Sequence, residues 1–498
     1  MSVADVEVPD ERPSAGFLAW RRAWLAMDDD PRLQQLAATH HGGLVVLAGV
    51  VAAMAASFQM SPMSLVLIAA TLTAIVLVPG WRLGIVLASS LAFVLLRPFR
   101  VSGWSDLTDG FAADLAMPQV ALQVTGVSFF LAFALVFLMW QRANAHLTAA
   151  KRPVLTLVVI WSALALVALL LPKGSAPHAF AWTFVGVAIS CLWYLAYAAA
   201  DQKVALAKGQ NDPPTIARAG FMRPFWGGSA TPIGKSFGYL SRFDAKDAAA
   251  LGRTRLKALK LAVWATILSA VLGAANLVLY DELGLTSLHG AVLAHAAGND
   301  LAMPVAWASL IANYFVDLLI IAVWGHFIVA AIRMSGWCVP RNTVNPLAAR
   351  TLAEFWNRYF FYFKELLVDF FFYPAFLRWF KKNPKVRLAV ATFCAAALGN
   401  GLYHFTRDTF HFATLPVGEA LAIFQSMVFY MVVLGLGLVW SQWRGRKVKP
   451  EEGFMAYHVY PRLGVMAFFC FLKIFDDMTG EGTLTERMSF TLSLFGVT

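Results

Sequence analysis

A histidine at the end of an apolar run is the residue of this sequence best suited to chemistry. His404 follows the stretch VRLAVATFCAAALGNGLY, and Asn400 stands four residues earlier, on the same face if the run is helical. A neutral imidazole can take a proton from a hydroxyl group near neutral pH. The pattern is typical of a functional histidine inside a membrane. The alternative is a structural histidine that bonds to a neighbouring helix.

A second group of polar residues lies upstream, in the aromatic-rich stretch 351–380. Its polar members are Asn357, Arg358, Lys364, Glu365 and Asp369. These are too many for a helix that faces lipid, so the stretch predicts a helix that lies in the interface or re-enters and is buried in protein. Glu365 and Asp369 repel each other unless another element supplies a cation. The helix either forms the floor of a polar cavity or is an amphipathic surface helix with solvated charges.

A third candidate is Asp317, which shares a helical face with Asn313 within the apolar segment 303–331. It is either a buried structural acceptor or a cavity residue. The four cysteines lie far apart without a CxxC pair, and the histidine spacing indicates no metal site. We therefore expect neither a metal nor a disulfide framework.

The composition decides which solvent surrounds these residues. Of 498 residues, 59% are hydrophobic and only 14% are charged, against roughly 45–50% and 25% in globular chains. A soluble protein of this composition could not cover its apolar surface, and a disordered chain is excluded by the same excess. The sequence therefore predicts an all-α polytopic membrane protein.

We count about eleven transmembrane helices by length and hydropathy, plus the re-entrant or interfacial helix within 351–380. The first three are short and closely spaced, so that either all three or only two cross. The eleven segments are approximately 43–58, 62–80, 83–97, 119–140, 153–172, 178–200, 258–280, 303–331, 386–405, 419–440 and 455–475.

The basic residues indicate the orientation. Two connections, 201–257 and 333–387, contain half of the 40 Lys and Arg residues, whereas the connection 281–302 has three acids and no Lys or Arg. The positive-inside rule places the two basic connections and an N-terminal arm, 1–41, in the cytoplasm, with a membrane core over 42–498. The rule explains the net charge of +11 without nucleic acid. We expect the stretch 223–243 to be an irregular loop at the membrane surface.

A resemblance to a family is carried by the region 351–405. The stretch FWNRYFFYFKELLVDFFFYPAF, residues 355–376, followed by GNGLYHF, residues 399–405, resembles the membrane-bound O-acyltransferase (MBOAT) family, bacterial members above all. PIGKSFGYL, residues 232–240, also resembles a surface loop of bacterial members. The resemblance implies an MBOAT-like fold with His404 as the catalytic residue. The family often places a second polar residue four positions after the first Trp, where this chain has Phe360, so Asn357 is the nearest candidate for that role.

The resemblance implies transfer of an acyl group, short in our interpretation, from a thioester to a hydroxyl of an extracytoplasmic glycan or lipid. The donor is acyl-CoA or an acyl carrier, which serves as a co-substrate, so that no cofactor is expected. An extracytoplasmic acyltransferase is a possible partner, and a bacterial inner membrane is the expected location. Expected substrate-binding residues are Arg358, Lys364, Asn400, Tyr403 and Asp317. The alternatives are a polytopic transporter, a polyprenyl-linked glycosyltransferase and an assembly subunit of envelope polysaccharide.

Overall fold

The computed structural model describes residues 26–57, 59–210, 212–227, 230–444, 450–477 and 479–497. Helices make up 79% of the structure, and the described residues form no strand. The principal helices are α1 (Pro31–Ala38), α2 (His40–Ala56), α3 (Pro62–Leu77), α4 (Arg82–Leu96), α5 (Ser102–Asp114), α6 (Gln119–Ala143), α7 (Pro153–Leu170), α8 (Ala176–Ala207), α9 (Ala248–Asn276), α10 (Leu288–Ala296), α11 (Met303–Met334), α12 (Leu352–Tyr359), α13 (Phe361–Leu367), α14 (Pro384–Arg407), α15 (Gln425–Arg444), α16 (Tyr460–Leu472) and α17 (Leu484–Ser493).

Nine helices in the described ranges are long and apolar enough to cross a membrane, or ten if the bent pair α1 and α2 is one span. All eleven expected segments are helical, but the number eleven is not confirmed. Helix α3 is the difference, because it begins at Pro62 and ends after 16 residues, at Leu77. At about 1.5 Å per residue it is shorter than the hydrocarbon layer. Helix α2 passes the length criterion only together with α1, from which it bends by 97°.

Helices α8 and α11 form the interior of the bundle. In the apolar window of α8, 83% of the residues are buried, against 22% for α7 at the periphery. Helix α8 packs against α6 and α7, and α11 packs against α9. Large side chains of α8, among them Trp182, Trp193 and Tyr194, are fully buried. This burial on all sides explains why α8 is hydrophobic around its whole circumference.

The connection between α8 and α9 differs from the expected surface loop. Its residues 218–226 and 231–236 are buried. The hydroxyl of Tyr194, near the middle of α8, donates to the Thr231 carbonyl at 2.9 Å, and Trp226 Nε1 donates to the Ile233 carbonyl at 3.1 Å. The expectation of a surface position for this stretch was therefore wrong. Internal hydrogen bonds of this kind allow irregular backbone to lie inside a membrane protein, and below we call residues 218–227 and 230–236 the inserted segment.

The described part of the N-terminal arm packs on the bundle. Helix α1 contacts α9, and Lys260 of α9 forms an ion pair with Asp28. Residues 1–25 of the arm lie outside the described ranges. Residues 26–41 of the arm are therefore docked against the membrane core rather than separate from it.

Candidate functional site

His404 lies on the last two turns of α14, after a change of helical geometry. Residues Cys394–Gly399 form a π-helical turn, and Asn400–Arg407 continue as α-helix. Such turns are frequent at functional sites, because the extra residue shifts the side chains that follow it. A methyl group on Gly399 would lie 2.6 Å from the Phe371 ring, so glycine is required for this close packing.

Asn400 and His404 present unpaired polar atoms on the same face of α14. Asn400 has no exposed surface, and neither its amide nitrogen nor its amide oxygen has a hydrogen-bond partner among the described residues. His404 Nδ1 is also buried without a partner in this part of the chain. Buried polar groups are nearly always satisfied, and each exception needs an explanation. Two exceptions one turn apart point to a site that recognises a polar group of a ligand.

Aromatic rings connect His404 to the motif helices α12 and α13. The Phe363 ring lies 6.2 Å from the His404 ring and 4.7 Å from the Tyr403 ring, edge to face in both cases. Trp356 lies 5.8 Å from Phe363. The structure thus brings together the two stretches, 355–376 and 399–405, that the sequence singles out.

An ionic cluster inside the bundle includes Asp317. The Lys473 ammonium lies 2.8 Å from an Asp317 carboxylate oxygen and 2.5 Å from an Asp476 oxygen. Asn313 donates to Asp317 at 3.2 Å. Lys473 and Asp476 act electrostatically on His404. The cluster joins α11 to the turn after α16 beside the candidate base.

The Asp476 carboxyl at the edge of this cluster is ionised. Burial raises the pKa of Asp476, but the Lys473 ammonium and His404 outweigh burial and hold that pKa below its usual value. The carboxylate therefore remains available as an acceptor at neutral pH.

Three further expected site residues lie on the motif helices, Asn357 and Arg358 on α12 and Lys364 on α13. Arg358 pairs with Glu354 of its own helix at 2.9 Å, and Lys364 pairs with Glu365 at 2.5 Å. Asn357 is partly buried, and no hydrogen bond joins it to His404 in the described part of the chain. On α13 it is Phe363, the residue before Lys364, that packs against Tyr403 and His404 of α14. The expected roles of Arg358 and Lys364 in substrate binding remain predictions.

Tyr403 fastens the histidine helix to the inserted segment. Its hydroxyl lies 3.0 Å from the Thr231 hydroxyl, and its ring packs 6.2 Å from Trp193 of α8. Tyr403 is therefore held on both sides at a position next to His404.

A second polar cluster holds the inserted segment against α13. Lys235 Nζ lies 2.7 Å from both Glu365 and Asp369, and the Tyr197 hydroxyl donates to Asp369 at 2.8 Å. Burial raises the pKa of Glu365, but Lys235 and Lys364 outweigh burial and lower that pKa overall. Lys235 supplies the cation that the spacing of Glu365 and Asp369 requires. This cluster positions the elements around His404 rather than forming part of the site.

The sequence alone did not single out Lys473 or Asp476. The available signal was a lysine near the end of an apolar span, followed within three residues by an acid. Among the described residues, no group of three His, Cys, Asp or Glu side chains could hold a metal ion. No protein-family model matches the chain, and no curated protein matches it.

Proposed function

We propose that the chain is a membrane-embedded O-acyltransferase in which His404 is the general base. The observation that carries the proposal is the pair of unpaired polar groups, the His404 ring nitrogen and the Asn400 amide, buried on one face of α14. A hydroxyl that donates to His404 Nδ1 and accepts from Asn400 Nδ2 would satisfy both of these nitrogens. The resemblance of 351–405 to the MBOAT family supports the same chemistry.

The proposed reaction uses these residues in one displacement. The acceptor hydroxyl oxygen attacks the thioester carbonyl while His404 takes the hydroxyl proton. The carbon–sulfur bond then breaks, and the thiolate leaves with a proton returned by His404. The Asn400 amide is placed to bond to the hydroxyl or to the developing oxyanion. A thioester is already activated, so that this route needs neither a metal nor a covalent serine.

The two substrates are proposed to reach His404 from opposite sides. The basic connections 201–257 and 333–387 face the cytoplasm in this proposal and attract acyl-CoA or an acidic acyl carrier. The acceptor, a glycan or lipid hydroxyl, arrives from the outer side of a bacterial inner membrane. An extracytoplasmic acyltransferase is the proposed partner for onward transfer.

The test uses two histidine variants of the full chain in membranes that contain the native lipids and glycans. His404→Ala should lower transfer of label from acetyl-CoA by about 10²-fold or more, the usual range for loss of a general base. His289→Ala is the matched control, because His289 pairs with Glu481 and is partly exposed. Transfer at the wild-type rate by a well-folded His404→Ala protein would overturn the proposal.

One observation favours a second function, an ion-coupled transporter. Ionisable residues that pair within a bundle, as Lys473 does with Asp317 and Asp476, often mark an ion or proton pathway. The acyl-transfer assay of the wild type and a lysine variant distinguish the two functions. A transporter would show no acyl transfer in the wild type, and Lys473→Met would then abolish solute-dependent proton flux in proteoliposomes.

A further inference from the structure

Two arginines lie in the interior of the bundle, away from His404. Arg100 belongs to the break between α4 and α5, and its backbone N–H donates to the Ser190 hydroxyl at 3.2 Å. Ser190 stands near the middle of the 32-residue helix α8. Arg223 belongs to the inserted segment and is only 3% exposed. Both guanidinium groups act electrostatically on Tyr194, also near the middle of α8.

Each arginine uses one nitrogen to join two pieces of backbone. Arg100 Nη1 donates to the Gly227 carbonyl, and Arg223 Nη2 donates to the Arg97 carbonyl. These bonds fasten the inserted segment to the break between α4 and α5. A purely structural role for the two arginines would require only these two hydrogen bonds.

Four guanidinium nitrogens remain without partners among the described residues. They are Nε and Nη2 of Arg100 and Nε and Nη1 of Arg223, all of them buried. Arg218, in the same connection, is also buried but pairs with the Asp201 carboxylate. Arg218 thus has a carboxylate partner among the described residues, whereas Arg100 and Arg223 have none there.

The charge of the pair is uncompensated within the described ranges. No carboxylate there forms an ion pair with Arg100 or Arg223, and their charged neighbours are each other and Arg97. Burial and the neighbouring Arg100 lower the pKa of Arg223 to about 9, so that Arg223 is still cationic at neutral pH. Leaving a buried charge unpaired costs several kcal/mol. A bound anion would remove that cost.

We propose that Arg100 and Arg223 bind a phosphate group of a ligand inside the bundle. Guanidinium groups bind phosphate through paired, charge-assisted hydrogen bonds, and four free nitrogens from two arginines match the several oxygens of such a group. The phosphate belongs either to a nucleotide-bearing thioester donor or to a lipid.

A short chain of contacts leads from this pair to the histidine. The Arg100 guanidinium lies over the Tyr194 ring, 5.2 Å from its centre, and the Tyr194 hydroxyl bonds to the Thr231 carbonyl. The Thr231 hydroxyl lies 3.0 Å from the Tyr403 hydroxyl, next to His404. A phosphate held by the arginines would thus anchor a ligand whose other end extends toward His404. The phosphate site itself does not depend on the acyl-transfer chemistry.

The first experiment measures thermal unfolding of the purified full chain with increasing inorganic phosphate, with chloride at matched ionic strength as the reference. Arg100→Gln and Arg223→Gln should each raise the phosphate dissociation constant at least tenfold, equivalent to about 1.4 kcal/mol. Arg378→Gln is the control, because Arg378 is an exposed arginine at the end of its helix. Equal phosphate affinity in the wild type and both variants would overturn the proposal, as would absence of a phosphate effect in the wild type.

Two further unfolding measurements, each with a different ligand, identify the source of the phosphate. Stabilisation by coenzyme A but not by pantetheine, which has no phosphate, assigns the site to the donor. Stabilisation by phosphatidic acid in bicelles but not by coenzyme A assigns it to a lipid. In either case the effect should disappear in Arg223→Gln, and its persistence there contradicts the proposal.

Two more variants separate folding and catalysis from binding. If a glutamine variant fails to fold, Arg223→Lys retains the charge without the paired geometry and should bind phosphate with intermediate affinity. His404→Ala should keep the full phosphate effect. The phosphate site and the proposed acyl transfer can therefore fail independently.

Discussion

The Tyr403 hydroxyl lies 3.0 Å from the Thr231 hydroxyl, which ties the residue before His404 to the inserted segment. The Thr231 carbonyl in turn accepts a hydrogen bond from Tyr194 of α8. The orientation of the histidine helix is therefore determined by contacts with two elements that are distant in sequence. The proposed function requires that this support be rigid, since misplacement of a base by about 1 Å can cost two orders of magnitude in rate.

Removal of the Tyr403 hydroxyl tests this support. Tyr403→Phe keeps the ring packing but loses the bond to Thr231, so we expect a loss of about 1 kcal/mol in unfolding free energy. The acyl-transfer turnover should fall several-fold, with little change in KM for the donor. Turnover and thermal unfolding of the purified protein measure both effects. Tyr460→Phe, at an exposed tyrosine, is the control, and unchanged turnover in Tyr403→Phe would show that the bond does not position His404.

Asn400→Ala separates function from stability. The buried Asn400 amide is unpaired among the described residues, and an unsatisfied polar group costs about 1–3 kcal/mol. Replacement should therefore leave the unfolding temperature unchanged or raise it, while acyl transfer falls at least tenfold. A large loss of stability together with full activity would instead make Asn400 a structural residue.

Asn357→Ala tests the residue that the family resemblance suggests as the second catalytic group. Asn357 has no hydrogen bond to His404 in the described part of the chain, so we expect its loss to lower transfer less than tenfold. The steady-state rates of Asn357→Ala and His404→Ala, measured in the same assay, provide the comparison. A loss as large as that of His404→Ala would place Asn357 in the site.

The features that were predictable from sequence are those that depend on neighbouring residues. All eleven apolar segments are helical, because about 20 apolar residues specify a helix without reference to the rest of the chain. Asn400 and His404 share a face because of the helical repeat. The pairing of Glu365 and Asp369 with a cation from elsewhere was also foreseeable, although the sequence could not indicate that this cation is Lys235.

The remaining features depend on contacts between residues far apart in the chain. Lys473 joins Asp317 across more than 150 residues, and no local pattern specifies such a pair. The inserted segment has the Pro, Gly and aromatic residues of a surface loop, and only its bonds to α8 place it inside. The positive-inside rule assigns the connection 201–257 to one side of the membrane. The rule does not determine how deeply a part of that connection inserts into the bundle.

Lys473→Met tests the ionic cluster. Removing one member of a partly buried ion pair leaves the remaining charge uncompensated, at a cost below the roughly 3–5 kcal/mol of a fully buried pair because water screens part of it. Since Lys473 contacts both Asp317 and Asp476, we expect a clear fall in unfolding temperature. The double variant Lys473→Met with Asp317→Asn should recover part of it. Asp317→Asn alone completes the cycle, and a double variant whose loss of stability equals the sum of the two single losses would show that the two side chains are not coupled.

The Lys235–Glu365 pair predicts a dependence of stability on pH. Burial raises the pKa of Glu365, but Lys235 and Lys364 outweigh it and hold that pKa below the ordinary value of 4.5. A carboxyl with a lowered pKa contributes stability that is complete above its ordinary pKa and is lost as the pH falls through the folded value. The unfolding temperature of the wild type should therefore fall as the pH drops below 4.5.

A variant and a control test this dependence. Glu365→Gln should be less stable at pH 7 and converge with the wild type in acid. Glu419→Gln, at an exposed glutamate, should match the wild type at every pH. A constant difference between wild type and Glu365→Gln from pH 7 into acid would show that the ion pair does not contribute to stability.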